Sequence, residues 1–171
     1  PEQAHGRTKG DVVGLYISEV KTGPMQPMAV ATALPGRGLQ GDRYAAKAGT
    51  FTPRSEKLRG YDLTLIESEV LEQVTFPDGS HLTASEVRRN VVTRGIDLNA
   101  LVGQEFTIGP VRAVGQRLCE PCVHLQRLSR PGIVAVLAHR GGLRADILTD
   151  GEIRLGDTIE AVTSPASAAA M

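Results

Sequence analysis

Glu105-Phe-Thr-Ile-Gly-Pro-Val-Arg-Ala-Val-Gly-Gln-Arg-Leu118 reads as two strands, Glu105–Ile108 and Val111–Leu118, joined by the turn Gly109-Pro110. The same pattern extends in both directions, with short apolar runs separated by Gly, Pro and Asp, as in a mostly β domain. Upstream, Val12–Ser18 is a first strand, Gln26–Leu34 a second across Thr22-Gly-Pro24, and Tyr61–Glu67 and Asn90–Thr93 two more. Downstream, Asp150-Gly151 between Ile147 and Ile153 signals a hairpin, and Thr158–Val162 is a last strand. Helices are expected only over Ser68–Val74, where Val70, Leu71 and Val74 share a face, and over Gly132–His139. A short helical turn at Thr83-Ala-Ser-Glu86 matches a capping box, and Asp97–Leu101 is another short turn. Many short strands with few helices and no βαβ alternation predict a mainly β fold (β-rich α+β). Closure into a barrel, complete or nearly so, would remove exposed sheet edges.

Composition narrows the function classes. The chain of 171 residues is 22% charged and 41% hydrophobic with a net charge of zero, which suits one soluble core. That charge balance gives no electrostatic case for nucleic acid, and the absence of Trp, with 4% aromatic residues, leaves no platform for base stacking. No stretch approaches the ~20 apolar residues of a membrane span. Residues 1–10 lack the apolar core of a signal peptide, and two cysteines without an export signal suggest a reducing cytoplasm. Residues 11–162 are expected to form a single domain, with a flexible segment over 1–10 and a disordered tail over 163–171. A polar loop over residues 49–60 is expected to be mobile.

Cys119-Glu-Pro-Cys122 follows the Val111–Leu118 strand and contains the only two cysteines; Arg117, Arg127, Arg130, Arg140 and Arg144 surround it. The thiolate is both the nucleophile and the soft metal ligand, and nearby positive charge favours it. Three other readings stand beside thiol chemistry. A structural zinc site would need four ligands, so His5, His81, His124 or His139 would have to complete the pair, and none has finger-like spacing. A thioredoxin-like redox pair would need the motif at the start of a helix in a βαβ setting. A free cysteine is also often a buried hydrophobe.

An ordered set of short elements then makes the chain resemble a known family. These are Gly38-Leu-Gln-Gly-Asp-Arg43, Leu63-Thr-Leu-Ile-Glu67, Arg88-Arg-Asn-Val-Val-Thr-Arg-Gly95 and Leu101-Val-Gly103, followed by Cys119-Glu-Pro-Cys122, Pro131-Gly132, Arg140-Gly-Gly-Leu143 and Gly151-Glu-Ile-Arg-Leu-Gly-Asp157. The set resembles the MOSC domain, named for the C-terminal part of molybdenum cofactor sulfurases, in a minimal stand-alone form spanning roughly Gly10 to Val162. The resemblance implies a barrel of the MOSC or pyruvate-kinase-barrel-like type that binds the molybdenum cofactor (molybdopterin) or handles sulfur destined for it. The family's cysteine matches Cys122, as molybdenum ligand or persulfide carrier, better than Cys119.

The resemblance further implies cofactor contacts at Lys21, Thr22, Arg43, Arg88 and Asn90, with Arg140 and His139 as candidates to line the pocket beside Cys122. Lysine and planar guanidinium groups suit the phosphate that ends the pterin arm. Each of these residues has a plainer role available: Lys21 on the surface, Arg43 paired with Asp42, Arg88 or Arg89 facing solvent, Asn90 capping a turn. Pyridoxal phosphate belongs to the family only through an aminotransferase-like domain that this sequence lacks, so it is not expected to bind. The expected function is a cofactor or sulfur carrier, or a sulfurase-like module. The alternatives are a molybdoenzyme that reduces N-hydroxylated compounds with an external electron donor, and a CxxC zinc or thiol-redox protein. A separate reductase or a cysteine desulfurase is the implied partner.

Overall fold

The computed structural model describes residues 6–46 and 59–163. Its strands are β1 (Lys9–Ile17), β2 (Gln26–Pro27), β3 (Val30–Leu34), β4 (Gly38–Leu39), β5 (Leu63–Glu67), β6 (Val91–Arg94), β7 (Glu105–Ile108), β8 (Val111–Leu118), β9 (Leu143–Ile147), β10 (Gly151–Arg154) and β11 (Thr158–Ala161). Four short helices accompany them: α1 (Ser68–Gln73), α2 (Ala84–Val87), α3 (Val123–Leu128) and α4 (Ile133–Leu137).

Strands β11, β7, β8, β9, β5, β6 and β1 pair in that order, and β1 returns to β11, so seven strands close a barrel. A ring with an odd number of strands cannot be antiparallel throughout. The parallel contact falls between β5 and β6, where Leu65 faces Val91. A parallel pair needs a crossover rather than a tight turn, and α1 and α2 lie on that crossover. The sequence reading places both helical elements between these strands but does not anticipate that the strands pair in parallel, which closure of an odd-stranded ring requires. Both ends of the chain meet in the ring through β1 and β11.

Two apolar clusters hold the fold. Leu15, Leu63, Leu65, Val91, Phe106, Ile108, Leu143, Ala145 and Ile159 fill the barrel. Ile66, Val70, Leu71, Val87, Val92, Leu125, Ile133 and Leu137 form a second core between the helices and the barrel wall. Strand β6 is therefore buried on both faces, with Val91 in the first cluster and Val92 in the second.

Most elements match the sequence reading, including the Thr83–Glu86 capping box, where Thr83 and Glu86 exchange hydrogen bonds with each other's backbone. Four expectations need correction. Asp150-Gly151 does not join a hairpin, because both edges of β9 are occupied by β5 and β8; β10 pairs instead with β3 in a separate small sheet. The single strand expected over Gln26–Leu34 is broken into β2, on the edge of β1, and β3, in the small sheet. Helix α3 was not anticipated, and no side chain caps its start at Cys122. β1 starts at Lys9, ahead of the expected domain start at residue 11. Of the loop expected over residues 49–60 only Arg59 and Gly60 fall within the described residues, and the tail beyond Thr163 lies outside them.

Candidate functional site

Between the barrel wall and the helical layer lies a cleft lined by Thr22, Arg43, Tyr44, Thr64, Arg88, Arg89, Cys119, Glu120, Cys122, His124, Leu125, Leu128 and Arg144. It holds ≈ 590 Å³ of empty space, counted to include the open solvent at its mouth. Both cysteines reach it, but unequally. Cys119 is 1% exposed at the end of β8, whereas Cys122 is half-buried where α3 begins.

Arg89 holds the cysteine segment in place from beneath. It is 7% exposed, and its Nε donates to Gly141 O (2.9 Å), Nη1 to Val87 O (2.8 Å) and Nη2 to Cys119 O (3.2 Å). The Cys119 amide in turn donates to Gly142 O at 2.7 Å. Gly141 allows this approach, since a Cβ there would lie 2.4 Å from Cys119 O. One guanidinium thus joins three chain segments under the thiols with no carboxylate partner among the described residues.

A second wall comes from the Gly36–Gly41 loop, where Gly36, Gly38 and Gly41 all take positive φ. The loop delivers Asp42, whose buried carboxylate accepts from Ser18 N (2.9 Å), Tyr44 N (3.2 Å) and Arg43 Nη1 (3.2 Å). Arg43 therefore pairs with Asp42 and also faces the cleft. Opposite stand two non-glycine residues in the left-handed region, Thr22 (φ 61°) and Arg88 (φ 57°). Such a conformation is a genuine outlier for a β-branched threonine, and strain of this kind concentrates at ligand-binding sites. The two are joined, because Arg88 Nη1 donates to Gly23 O at 2.6 Å. Burial, and then the neighbouring Arg43, destabilise the charged form of Arg88.

Lys21, Asn90 and Arg140 are not among the residues lining the cleft. Lys21 is exposed on the surface. Asn90 is 5% exposed, and its amide is fully engaged: Oδ1 accepts from Thr64 N and Oγ1 (3.1 Å each), and Nδ2 donates to Tyr16 O (3.1 Å). It positions Thr64, which does reach the cleft. Arg140 is exposed in the turn after α4 and donates to Val136 O, and His139 faces solvent beside Glu120. Thr22, Arg43, Arg88 and Cys122 do meet. Sequence reasoning did not assign Tyr44, Thr64, Arg89, Glu120 and Arg144 to the site. For Thr64 and Arg144 the strand alternation held the signal, since their neighbours Leu63, Leu65, Leu143 and Ala145 all point into the barrel.

Among the described residues no three His, Cys, Asp or Glu side chains converge to hold a metal, so a zinc site made by the protein alone has no ligand set there. Residues 119–122 form neither helix nor turn, and α3 begins only after Cys122. Both cysteines are free thiols. The cleft instead offers one accessible thiol, four arginines, three hydroxyls and a single lining carboxylate, Glu120. That donor set fits a phosphate-bearing group whose metal accepts one thiolate from the protein.

Residues 60–160, more than half of the chain, match the family model for the MOSC domain. No curated protein matches the sequence. The fold is similar to that of the YUAD protein from Bacillus subtilis (TM-score 0.72, 18% identity, 90% of this chain and 95% of that one). It is also similar to YiiM from Geobacillus stearothermophilus (0.65, 14%, 90% and 75%) and YiiM from Escherichia coli (0.62, 16%, 91% and 70%). At these identities the likeness is one of fold. No described helix is long and apolar enough to cross a membrane.

Proposed function

The chain belongs to the MOSC domain family, whose members are associated with molybdenum cofactor binding or sulfurase-like activity, and on that premise we propose that it binds the molybdenum cofactor with Cys122 as the metal's protein ligand. Its role in this reading is that of a cofactor or sulfur carrier. The observation that carries the proposal is the gathering of Arg43, Arg88, Arg89 and Arg144 around one half-buried thiol, against a single lining carboxylate. Like charges drawn together from three chain segments repel and are costly to desolvate, so the arrangement calls for an anion. Thr22, Arg43 and Arg88 would hold the terminal phosphate, the guanidinium groups through charge-assisted hydrogen bonds. Arg89 fixes the backbone that presents Cys122. When bound, the cofactor supplies a redox-active molybdenum centre with coordination positions open to an oxygen or sulfur ligand.

The test is metal analysis with pterin fluorescence on protein made in a cofactor-producing host. Wild-type protein and Cys119→Ser should carry molybdenum and pterin together, and Cys122→Ser should lose molybdenum. Equal retention by Cys119→Ser and Cys122→Ser would refute the assignment.

A further inference from the structure

Three of the four arginines in the cleft are already engaged. Arg43 pairs with Asp42, Arg88 donates to Gly23 O, and Arg89 donates to three carbonyls. The Arg144 side chain makes no hydrogen bond or ion pair among the described residues, and its guanidinium lies 5.7 Å from the centre of the Tyr61 ring. It stands directly across the β5–β9 ladder from Thr64, and both side chains project from the outer wall of the barrel into the cleft. Arg117 lies on the same ring of Tyr61, at 5.0 Å, and adds positive charge beyond Arg144.

Thr22, Arg43 and Arg88 reach the cleft from segments outside the β5–β9 ladder that carries Arg144. A guanidinium with its donors uncommitted, lining the same cleft as Cys122, has the chemistry of an oxyanion clamp.

We propose that Arg144 forms a second anion site, which takes the carboxylate or phosphate group of the small molecule that meets Cys122. The cleft would then select an anionic reaction partner over a neutral one of the same shape. This rests on the reading of Cys122 as the reactive group and names the class of molecule that reaches it.

The test uses the full-length protein without cofactor and two alkylating agents of nearly equal shape, iodoacetate (anionic) and iodoacetamide (neutral). Rate constants at Cys122 are read by peptide mass spectrometry, and the iodoacetate-to-iodoacetamide ratio cancels any change in the reactivity of the thiol itself. Arg144→Gln should lower that ratio about fivefold, the worth of one half-exposed ion pair. Arg144→Lys, which keeps the charge, should retain most of it. Succinate or inorganic phosphate, added at constant ionic strength, should slow iodoacetate selectively, and whichever does so identifies the preferred group. An unchanged ratio in Arg144→Gln overturns the proposal, as does a fall in Arg88→Gln equal to or larger than that in Arg144→Gln, or protection by neither anion. Molybdenum retention does not enter the ratio, so failure of the cofactor assignment and failure of this site are read separately.

Discussion

Replacing Arg89 with methionine should destabilise the protein by about 4 kcal/mol, because three buried carbonyl oxygens would lose their donors. The figure follows from the acceptors left behind. Val87 O, Cys119 O and Gly141 O receive the Arg89 donors at 2.8, 3.2 and 2.9 Å, and all three residues are buried. A buried acceptor stripped of its partner costs about 1–3 kcal/mol, and three at about 1.5 each give a similar total. Methionine approximates the apolar part of the side chain, so lost packing adds little. With a urea m-value of about 2 kcal/mol/M, the unfolding midpoint should fall by about 2 M. Arg89→Lys should recover only part of the loss, because a point charge cannot serve three divergent carbonyls as a planar fork does. Equilibrium urea unfolding followed by circular dichroism measures both variants. A midpoint shift below about 0.5 M for Arg89→Met, equivalent to about 1 kcal/mol, would show that the guanidinium does not hold the cysteine segment.

Thr22→Gly should leave the protein as stable as wild type or more stable by about 0.5–1 kcal/mol, since the left-handed conformation costs a threonine about 1–2 kcal/mol and glycine returns part of that as chain entropy; calorimetry reads this, and a destabilised variant would mean that φ 61° is not strained. Asp62 is held above its ordinary value of 3.8 by burial, with Asp146 adding to the rise against an opposing hydrogen bond from the Ile147 amide. The folded state then binds that proton more tightly than the unfolded chain, so this group's contribution to stability falls as pH rises from 3.8 through the raised folded value. Asp62→Asn can still accept from the Gly36 and Ile147 amides, so it should abolish this slope and raise the midpoint at pH 7 relative to wild type. Parallel urea midpoints from pH 4 to 7 in the two proteins would contradict it.

Strand positions were legible because each strand carries its own evidence in apolar runs bounded by Gly, Pro and Asp. Pairing was less so. The Asp150-Gly151 turn looks local and sufficient, but whether β10 folds back on β9 depends on whether the edges of β9 are free, and β5 and β8 occupy both. Likewise α3 has no capping side chain and only Leu125 is fully buried, so its formation depends on the second core into which it packs. Within the site, Arg43, Arg88, Thr22 and Cys122 could be singled out by motif and Arg144 only by strand alternation, whereas Arg89 could not be told from the other arginines until its surroundings were known.

By itself, the sequence determined the strand-rich barrel, the one accessible thiol chemistry and the family, because these rest on residue identity, local periodicity and order along the chain. Only the tertiary structure decided which arginine meets what. Asn90 lies in the right motif but spends its amide on Thr64 and Tyr16, Arg140 adjoins the right glycines but turns outward, and Arg144 arrives at the cleft from a strand on the far side of the chain. The physical reason is that hydrogen-bond commitment and desolvation are properties of surroundings assembled from segments distant in sequence, and closure of an odd-stranded ring fixed which segments those are.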